Sequence, residues 1–408
     1  MLKYANAFIQ EMPKTDLHLH LDGSLRIPTL IAMAKKMNVE LPSYTEAGLR
    51  ELVFKSSYSN LGEYLRGFKY TCAVLRDLEN IEQVAYELAI DNQNENVYYI
   101  EPRFAPQLMM DMDAGLTMEA VMEATNKGLE RAKNEHNNRT DVKSGSRPEF
   151  HYGIISCAMR NFEPKGYSPF YSSFFKTMEY SEPSEVVCAA ALQMVQAAVK
   201  IRDEMGIPIV SIDLAGQEEG YPCGKFREVY AYAHKNFMHK TVHAGEAYGA
   251  ESVFQAITEC YADRIGHGYY IFDENKITDP KIKDKKKYIA DLVSFVADKR
   301  TTIEVCLTSN LQTNPEIKTI KNHNIKHMLA NRMSLTICTD NRLVSDTTVS
   351  REFQLAVDNF DIPIKQLKDI VAYGFKKSFY PGQYIEKRNW AKNVMMYFDT
   401  VAKKHGMN

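Results

Sequence analysis

Two histidines stand one residue apart in DLHLHLDG, at positions 16 to 23. Successive side chains of a strand alternate between faces, so Asp16, His18, His20 and Asp22 share one face while Leu17, Leu19 and Leu21 share the other. Two imidazoles on one face can grip one metal ion, and zinc suits them because imidazole nitrogen is a borderline ligand and Zn²⁺ tolerates irregular geometry. Alone the pair carries little, since chance H-x-H pairs are common. Three further stretches supply what a hydrolytic metal site needs. HAGE offers His243 as a third ligand and Glu246 as a carboxyl group near the metal. RIGHG places His267 between two glycines, which let a neighbour approach closely. TDN offers Asp340 as an oxygen ligand, with Asn341 beside it.

Read singly, each residue has a structural explanation. His267 would be a satisfied core or loop histidine, Asp340 a helix cap, and Glu246 a first-turn charge favoured by the helix dipole. Read together, His18, His20, His243, Glu246, His267 and Asp340 fall at four separate strands in a chain with only 11 histidines, and a metal site explains all of them. His151, His234, His239, His323 and His327 have no such context and are read as structural.

Residues so far apart need a scaffold that brings strand ends together. Eight short apolar runs bounded by turn residues read as strands: Lys14–Leu21, Asn96–Phe104, Phe150–Ala158, Ile207–Leu214, His239–Ala244, Asp263–Tyr269, Thr301–Thr308 and Met333–Thr339. Between them, apolar residues recur at three- and four-residue spacing over Ile81–Asp91, Thr117–Ala132, Glu185–Met205, Ser252–Tyr261 and Tyr288–Asp298. Alternating strand and helix predicts a parallel sheet with crossover helices, and eight units is the number that closes an α/β, (β/α)8 TIM barrel; an open doubly wound sheet is the alternative. In such a barrel, catalytic residues gather at the C-terminal strand ends. The whole chain, 1–408, is read as one domain. Leu41–Phe68 and the aromatic Asn161–Pro183 do not fit a strand–helix unit and are expected as insertions near the barrel mouth, the second able to clamp a flat substrate or simply pack on itself. The charge run Lys276–Lys287 is expected on a solvated face.

Fifty Lys and Arg against 52 Asp and Glu leave a formal charge of −2, so no basic field gathers nucleic acid or anionic membrane. Seven scattered cysteines form no C-x-x-C pair, which suits reduced thiols. No apolar leader or membrane-length apolar run is read, so the expected location is the cytoplasm, without nucleic-acid or membrane partners. No oligomeric state is set, and a monomer is compatible with the sequence.

The set DLHLHLDGS, SIDLAGQEE, TVHAGE, RIGHG and TDN, in that order and spacing, resembles the adenosine deaminase family of the amidohydrolase superfamily. The resemblance runs from about Lys14 to about Leu343, with lesser matches at YIEPRFAPQL and TSN. It implies one Zn²⁺ per chain held by His18, His20, His243 and Asp340. It further implies that Glu246 protonates the purine ring, His267 steers the attacking water, Asp22 meets the ribose, and Gly216 offers its backbone N–H to the base. His20 also borders the substrate in this reading. Many family members carry a second Asp where this chain has Asn341, and an Asn amide donates to a purine nitrogen at any pH. Relatives acting on free adenine tend to carry Glu at the position of Asp22, so LDG favours a nucleoside.

The chemistry is coherent. An aromatic carbon bearing an amino group resists attack unless the adjacent ring nitrogen is protonated, which a nearby carboxylic acid can do. Hydrolytic deamination of adenosine and 2′-deoxyadenosine to inosine products, within purine salvage, is therefore the expected activity, with adenine or another 6-aminopurine derivative as alternative substrate. The H-x-E and P-C-x-x-C signature of cytidine-type zinc deaminases is absent. IPIVSIDL lacks the Lys that a binuclear amidohydrolase would place there. A non-enzymatic binding module would be expected to lack one of the ligands or the acid, and all are present.

Overall fold

The expected strands lie in one all-parallel sheet that curls until its edges meet. The computed structural model describes residues 4–164, 166–314 and 316–407. Its strands are β1 (Lys14–His20), β2 (Val97–Phe104), β3 (His151–Tyr152), β4 (Ile154–Met159), β5 (Ile209–Ala215), β6 (His239–Ala244), β7 (Arg264–His267), β8 (Thr302–Val305) and β9 (Leu335–Ile337). The order around the sheet is β1-β2-β4-β5-β6-β7-β8-β9, with β3 paired to β2. Closure comes just beyond β9. His20 N–H donates to the Asp340 carbonyl at 2.7 Å and Asp340 N–H to the His18 carbonyl at 2.8 Å. The fold is thus the expected TIM barrel rather than an open doubly wound sheet.

Burial on both faces explains why the strands read as near-continuous apolar runs. Leu17, Leu19 and Leu21 are fully buried in the main core, opposite the histidine face of β1. The third expected strand is split into β3 and β4 at Gly153, where a Cβ would sit 2.6 Å from Val210 Cγ2. The seventh, read as far as Thr308, ends at Val305, and Leu307–Thr313 is a helix. Its first turn is capped from outside, since the Glu352 carboxylate accepts Thr308 N–H at 3.1 Å and also binds the Thr308 hydroxyl.

The expected crossover helices are present as Leu78–Asn94, Met118–Asn137, Pro183–Met205, Ala250–Thr258 and Lys285–Lys299. The expectation of no membrane-length apolar stretch needs correction: Pro183–Met205 is long and apolar enough to cross a membrane. Its apolar side is explained by packing against the barrel, where Val187, Ala190, Met194 and Ala198 join the core. The first insertion folds into short helices, Glu46–Leu52 and Leu61–Leu65, followed by Phe68–Val74. The second contains the helix Pro169–Thr177, with Phe162 stacked on Tyr171 at 3.6 Å between ring centroids; Lys165 within it lies outside the described residues.

Charges fill the barrel floor. Arg264 Nε donates to Glu304 Oε1 at 2.6 Å, its Nη2 to Glu101, and its guanidinium lies 3.7 Å over the Phe379 ring. All three ionic groups are essentially inaccessible to solvent. Removing one member of a buried ion pair leaves an uncompensated charge, so Arg264→Met is expected to destabilise the protein by about 3–5 kcal/mol. Urea unfolding followed by circular dichroism measures this; a loss under about 1 kcal/mol would mean that the charge network does not support the fold.

Candidate metal centre and adjoining cavity

The alternation read in DLHLHLDG carries His18 and His20 to the open end of the barrel. There they meet His243 from the end of β6, His267 from the end of β7 and Asp340 from just beyond β9. Ligand atoms of His18, His243, His267 and Asp340 lie within 4.8 Å of one another. His20 joins them, its Nε2 lying 3.3 Å from His243 Nε2 and 3.4 Å from Asp340 Oδ1. His18 Nε2 lies 3.5 Å from the same Asp340 oxygen. The backbone accommodates this crowding unusually, with both His267 and Asp340 at φ +64°. Gly266 leaves room for the His18 ring, since a Cβ there would meet His18 Cε1 at 2.9 Å. The close approach expected beside His267 is therefore made by a ligand candidate.

Carboxylates behind the rings decide which nitrogens point inward. Glu304 Oε2 lies in hydrogen-bond contact 2.8 Å from His18 Nδ1, and Asp213 Oδ2 makes an ion-pair contact 2.9 Å from His243 Nδ1 without hydrogen-bond alignment. A neutral imidazole that donates through Nδ1 keeps a bare lone pair on Nε2. His18 Nε2 is buried without a hydrogen-bond partner. Ser309 donates to Asp340 Oδ2 at 2.6 Å, leaving Oδ1 to face the imidazoles. Acceptor atoms thus converge on one point, and a cation is what such a point accommodates. The donor set, nitrogen with one carboxylate oxygen, fits zinc chemistry.

Electrostatics keep His18 and His20 neutral and the supporting carboxylates ionised. Burial pushes His18 down to about 4 and His20 well below the usual histidine value. For His243 the Asp213 carboxylate outweighs burial and raises the pKa. Burial also opposes the charged form of Glu304, but Arg103 and Arg264 overcome it and hold this carboxyl far below its ordinary value. Arg103 donates to Asp213 Oδ2 at 3.0 Å and to Glu304 Oε2 at 2.9 Å, linking the two supporting carboxylates.

Glu246 lies beside the cluster, its Oε1 3.7 Å from His267 Nε2. Burial raises its pKa above the usual carboxylate value. Its loop is held by the buried Glu218 carboxylate, which accepts the N–H groups of Gly245, Glu246, Ala247 and Tyr248 at 2.6–3.1 Å. A cavity of about 420 Å³ opens from His20 and Asp22 past Phe68, Phe162, Tyr167 and Gly216. A smaller adjoining space, about 40 Å³, shares His20, Phe68 and Gly216 with it and reaches His243, Glu246, His267, Asp340 and Asn341. A larger cleft, about 580 Å³ between Arg300, Arg332, Met333 and Tyr373, lies at the N-terminal strand ends, away from this cluster.

Of the sequence-selected residues, His20, Asp22, Gly216, His243, Glu246, His267, Asp340 and Asn341 line these two adjoining spaces, and His18 is fully buried behind them. Asp22 is buried with an unpartnered Oδ1, and burial pushes its pKa up to about 7. Gly216 adopts φ +93° at the cavity wall. Asn341 donates to the Tyr64 hydroxyl at 2.8 Å, so the first insertion reaches the site; its Oδ1 is buried and unpartnered. Glu304, Asp213, Arg103, Glu218, Ser309 and Asn310 were given no role from sequence. All but Glu304 lie inside stretches that matched the family, which was the available signal. His323 was read as structural, yet it bonds Asn310, which bonds His267.

Comparison with known proteins places this geometry. The family model described as adenosine deaminase matches residues 13–164 and 183–396. The chain belongs to the adenosine deaminase family. It is 32% identical over 379 residues to adenosine deaminase 1 of Streptomyces coelicolor, covering 91% of this chain and 84% of the relative. Three solved structures share the fold. An adenine deaminase from Arthrobacter aurescens superposes with TM-score 0.70 at 19% identity, over 95% of this chain and 99% of the other. The N6-methyl-AMP deaminase of Arabidopsis thaliana gives 0.72 at 22%, over 98% and 100%. An amidohydrolase from Burkholderia ambifaria with bound Zn gives 0.75 at 18%, over 100% and 97%.

The supporting carboxylates can be tested apart from catalysis. Glu304→Leu removes the acceptor that directs His18 and is expected to weaken divalent-metal affinity ~10- to 100-fold, as loss of such supporting groups typically does. Competition titration with a chromophoric chelator reads this, and unchanged affinity would separate Glu304 from metal binding.

Proposed function

We propose that this protein is a zinc-dependent hydrolase that deaminates adenosine and 2′-deoxyadenosine to inosine and 2′-deoxyinosine with release of ammonia. The observation that carries this reading is Glu246. It is a buried carboxyl group with a raised pKa, beside a convergent histidine–aspartate cluster, in a small space that adjoins a cavity sized for a small molecule. His18, His20, His243 and Asp340 are the proposed ligands of one Zn²⁺. When bound, zinc lowers the pKa of a coordinated water from about 15.7 to about 7, making a nucleophile available at neutral pH.

The remaining work falls to the protein. Glu246 in its acid form donates a proton to the ring nitrogen next to the amino-bearing carbon, which makes that carbon electrophilic. Burial favours that acid form, so the donor survives to higher pH than an ordinary glutamate would. His267 holds the attacking water in line, and Asp340, already an acceptor, receives its hydrogen bond. Gly216 and Asn341 border the base, while Asp22 near the wider part of the cavity suits a ribose hydroxyl. Phe162 and Tyr167, from the second insertion, supply flat apolar walls there.

The family relative named adenosine deaminase supports the nucleoside, and Asp22 supports it again. Free adenine is the alternative. Purified protein assayed separately with adenosine, adenine and N6-methyl-AMP by ultraviolet absorbance is expected to act on adenosine; turnover of adenine alone would overturn the nucleoside assignment. Glu246→Gln is expected to retain fold and metal while kcat falls at least ~10²-fold, the lower end for general acid–base catalysis. Near-normal turnover of that variant would remove Glu246 from the proton transfer.

A further inference from the structure

The direction of every hydrogen bond behind His267 is fixed by one backbone group. Ile325 N–H donates to His323 Nδ1 at 3.0 Å, and a backbone N–H can only donate. His323 is fully buried, and burial lowers its pKa to about 3, so the ring is neutral and carries one proton. With Nδ1 accepting, that proton sits on Nε2. His323 Nε2 faces Asn310 Oδ1 at 3.2 Å and donates to it. The Asn310 amide is thereby oriented, and its Nδ2 donates to His267 Nδ1 at 3.2 Å. Asn310 is also fully buried, and its backbone carbonyl is held by the Asn314 side chain at 3.0 Å. The chain of logic does not depend on choosing an amide orientation. The opposite orientation would set His323 N–H against an NH2 group.

We propose that His323 and Asn310 are positioning residues that lock His267 in the tautomer with its proton on Nε2, so that His267 presents an N–H donor, not a lone pair, to the reacting oxygen. Three consequences follow. His267 Nε2 is removed from the metal ligands although it lies among them, which leaves that place to His20. The same Nε2 lies 3.7 Å from Glu246 Oε1. His267 holds and stabilises an oxygen nucleophile by donation and does not begin as the base that deprotonates it. The relay itself is a property of the folded protein; only its catalytic consequence rests on the deaminase reading.

The test separates the two. Histidine ring tautomers give distinct long-range ¹H–¹⁵N correlation patterns, recorded on ¹⁵N-histidine-labelled, zinc-loaded protein without substrate. The His267 signals are assigned by their loss in His267→Gln. The expected pattern is an unprotonated Nδ1 and a protonated Nε2. In His323→Leu, Asn310 is free to turn, and the pattern is expected to lose its single tautomer. Adenosine turnover should then fall ~10- to 100-fold in kcat with KM little changed, the usual cost of losing an orienting partner. His323→Gln retains an N–H donor and should restore both. Asn310→Asp offers acceptors on both sides and should move the His267 proton to Nδ1. A native His267 protonated on Nδ1, or a tautomer unaltered in both His323→Leu and Asn310→Asp, would overturn the proposal. So would a His323→Gln variant as impaired as His323→Leu, since that marks a merely structural role. Absence of adenosine turnover in the native enzyme would instead count against the deaminase reading and leave the tautomer result standing.

Discussion

Lone pairs aimed at one another repel, and this molecule aims several at the same point. His18 Nε2 and Asp340 Oδ1 are 3.5 Å apart, and His20 and His243 bring their own nitrogens within 3.4 Å of a neighbour. Glu304 and Ser309 already hold the far sides of His18 and Asp340, so among the described residues their facing lone pairs stay opposed. A cation relieves that opposition. The barrel seam enforces the contact, since the hydrogen bonds that close the sheet join His18 and His20 to Asp340 through their backbones. Fold closure and convergence of the ligand candidates are the same event.

Beneath this point the barrel interior carries charge where apolar layers would be ordinary. Arg103 and Arg264 sit between Asp213, Glu304 and Glu101, and all five are buried. Buried ions are costly unless paired and fully hydrogen-bonded. Here they are paired in a chain that ends on the imidazoles, so the cost is tied to orienting rings. The same division of labour recurs at Glu218, whose carboxylate gathers four backbone N–H groups to present Glu246, and at Asn310, which faces His267.

Residues of the inner site were legible because their types are rare and strand periodicity is simple. DLHLHLDG needs only a period of two to put His18 and His20 together, with the leucines behind. The eight strands were legible for a related reason, being buried on both faces. What escaped depended on partners distant in sequence. The helix Leu307–Thr313 is capped in its first turn at Thr308 by Glu352, 44 residues on. The glycine at the break, position 153, leaves room for Val210 on the next strand. Glu304 and Asp213 sit in apolar runs where a single acid looks like an exception, and only the pairing of strands shows the histidine each one serves. His323 lacked any motif of its own, and its link to His267 passes through a side chain on another helix.

The account stands on a cation at the imidazole–aspartate point. Elemental analysis of the protein purified without added metal, alongside His18→Ala, tests this most directly. One zinc per native chain and marked loss in the variant is the predicted result. A native protein that is fully active without metal, or a variant that keeps its zinc undiminished, would contradict it.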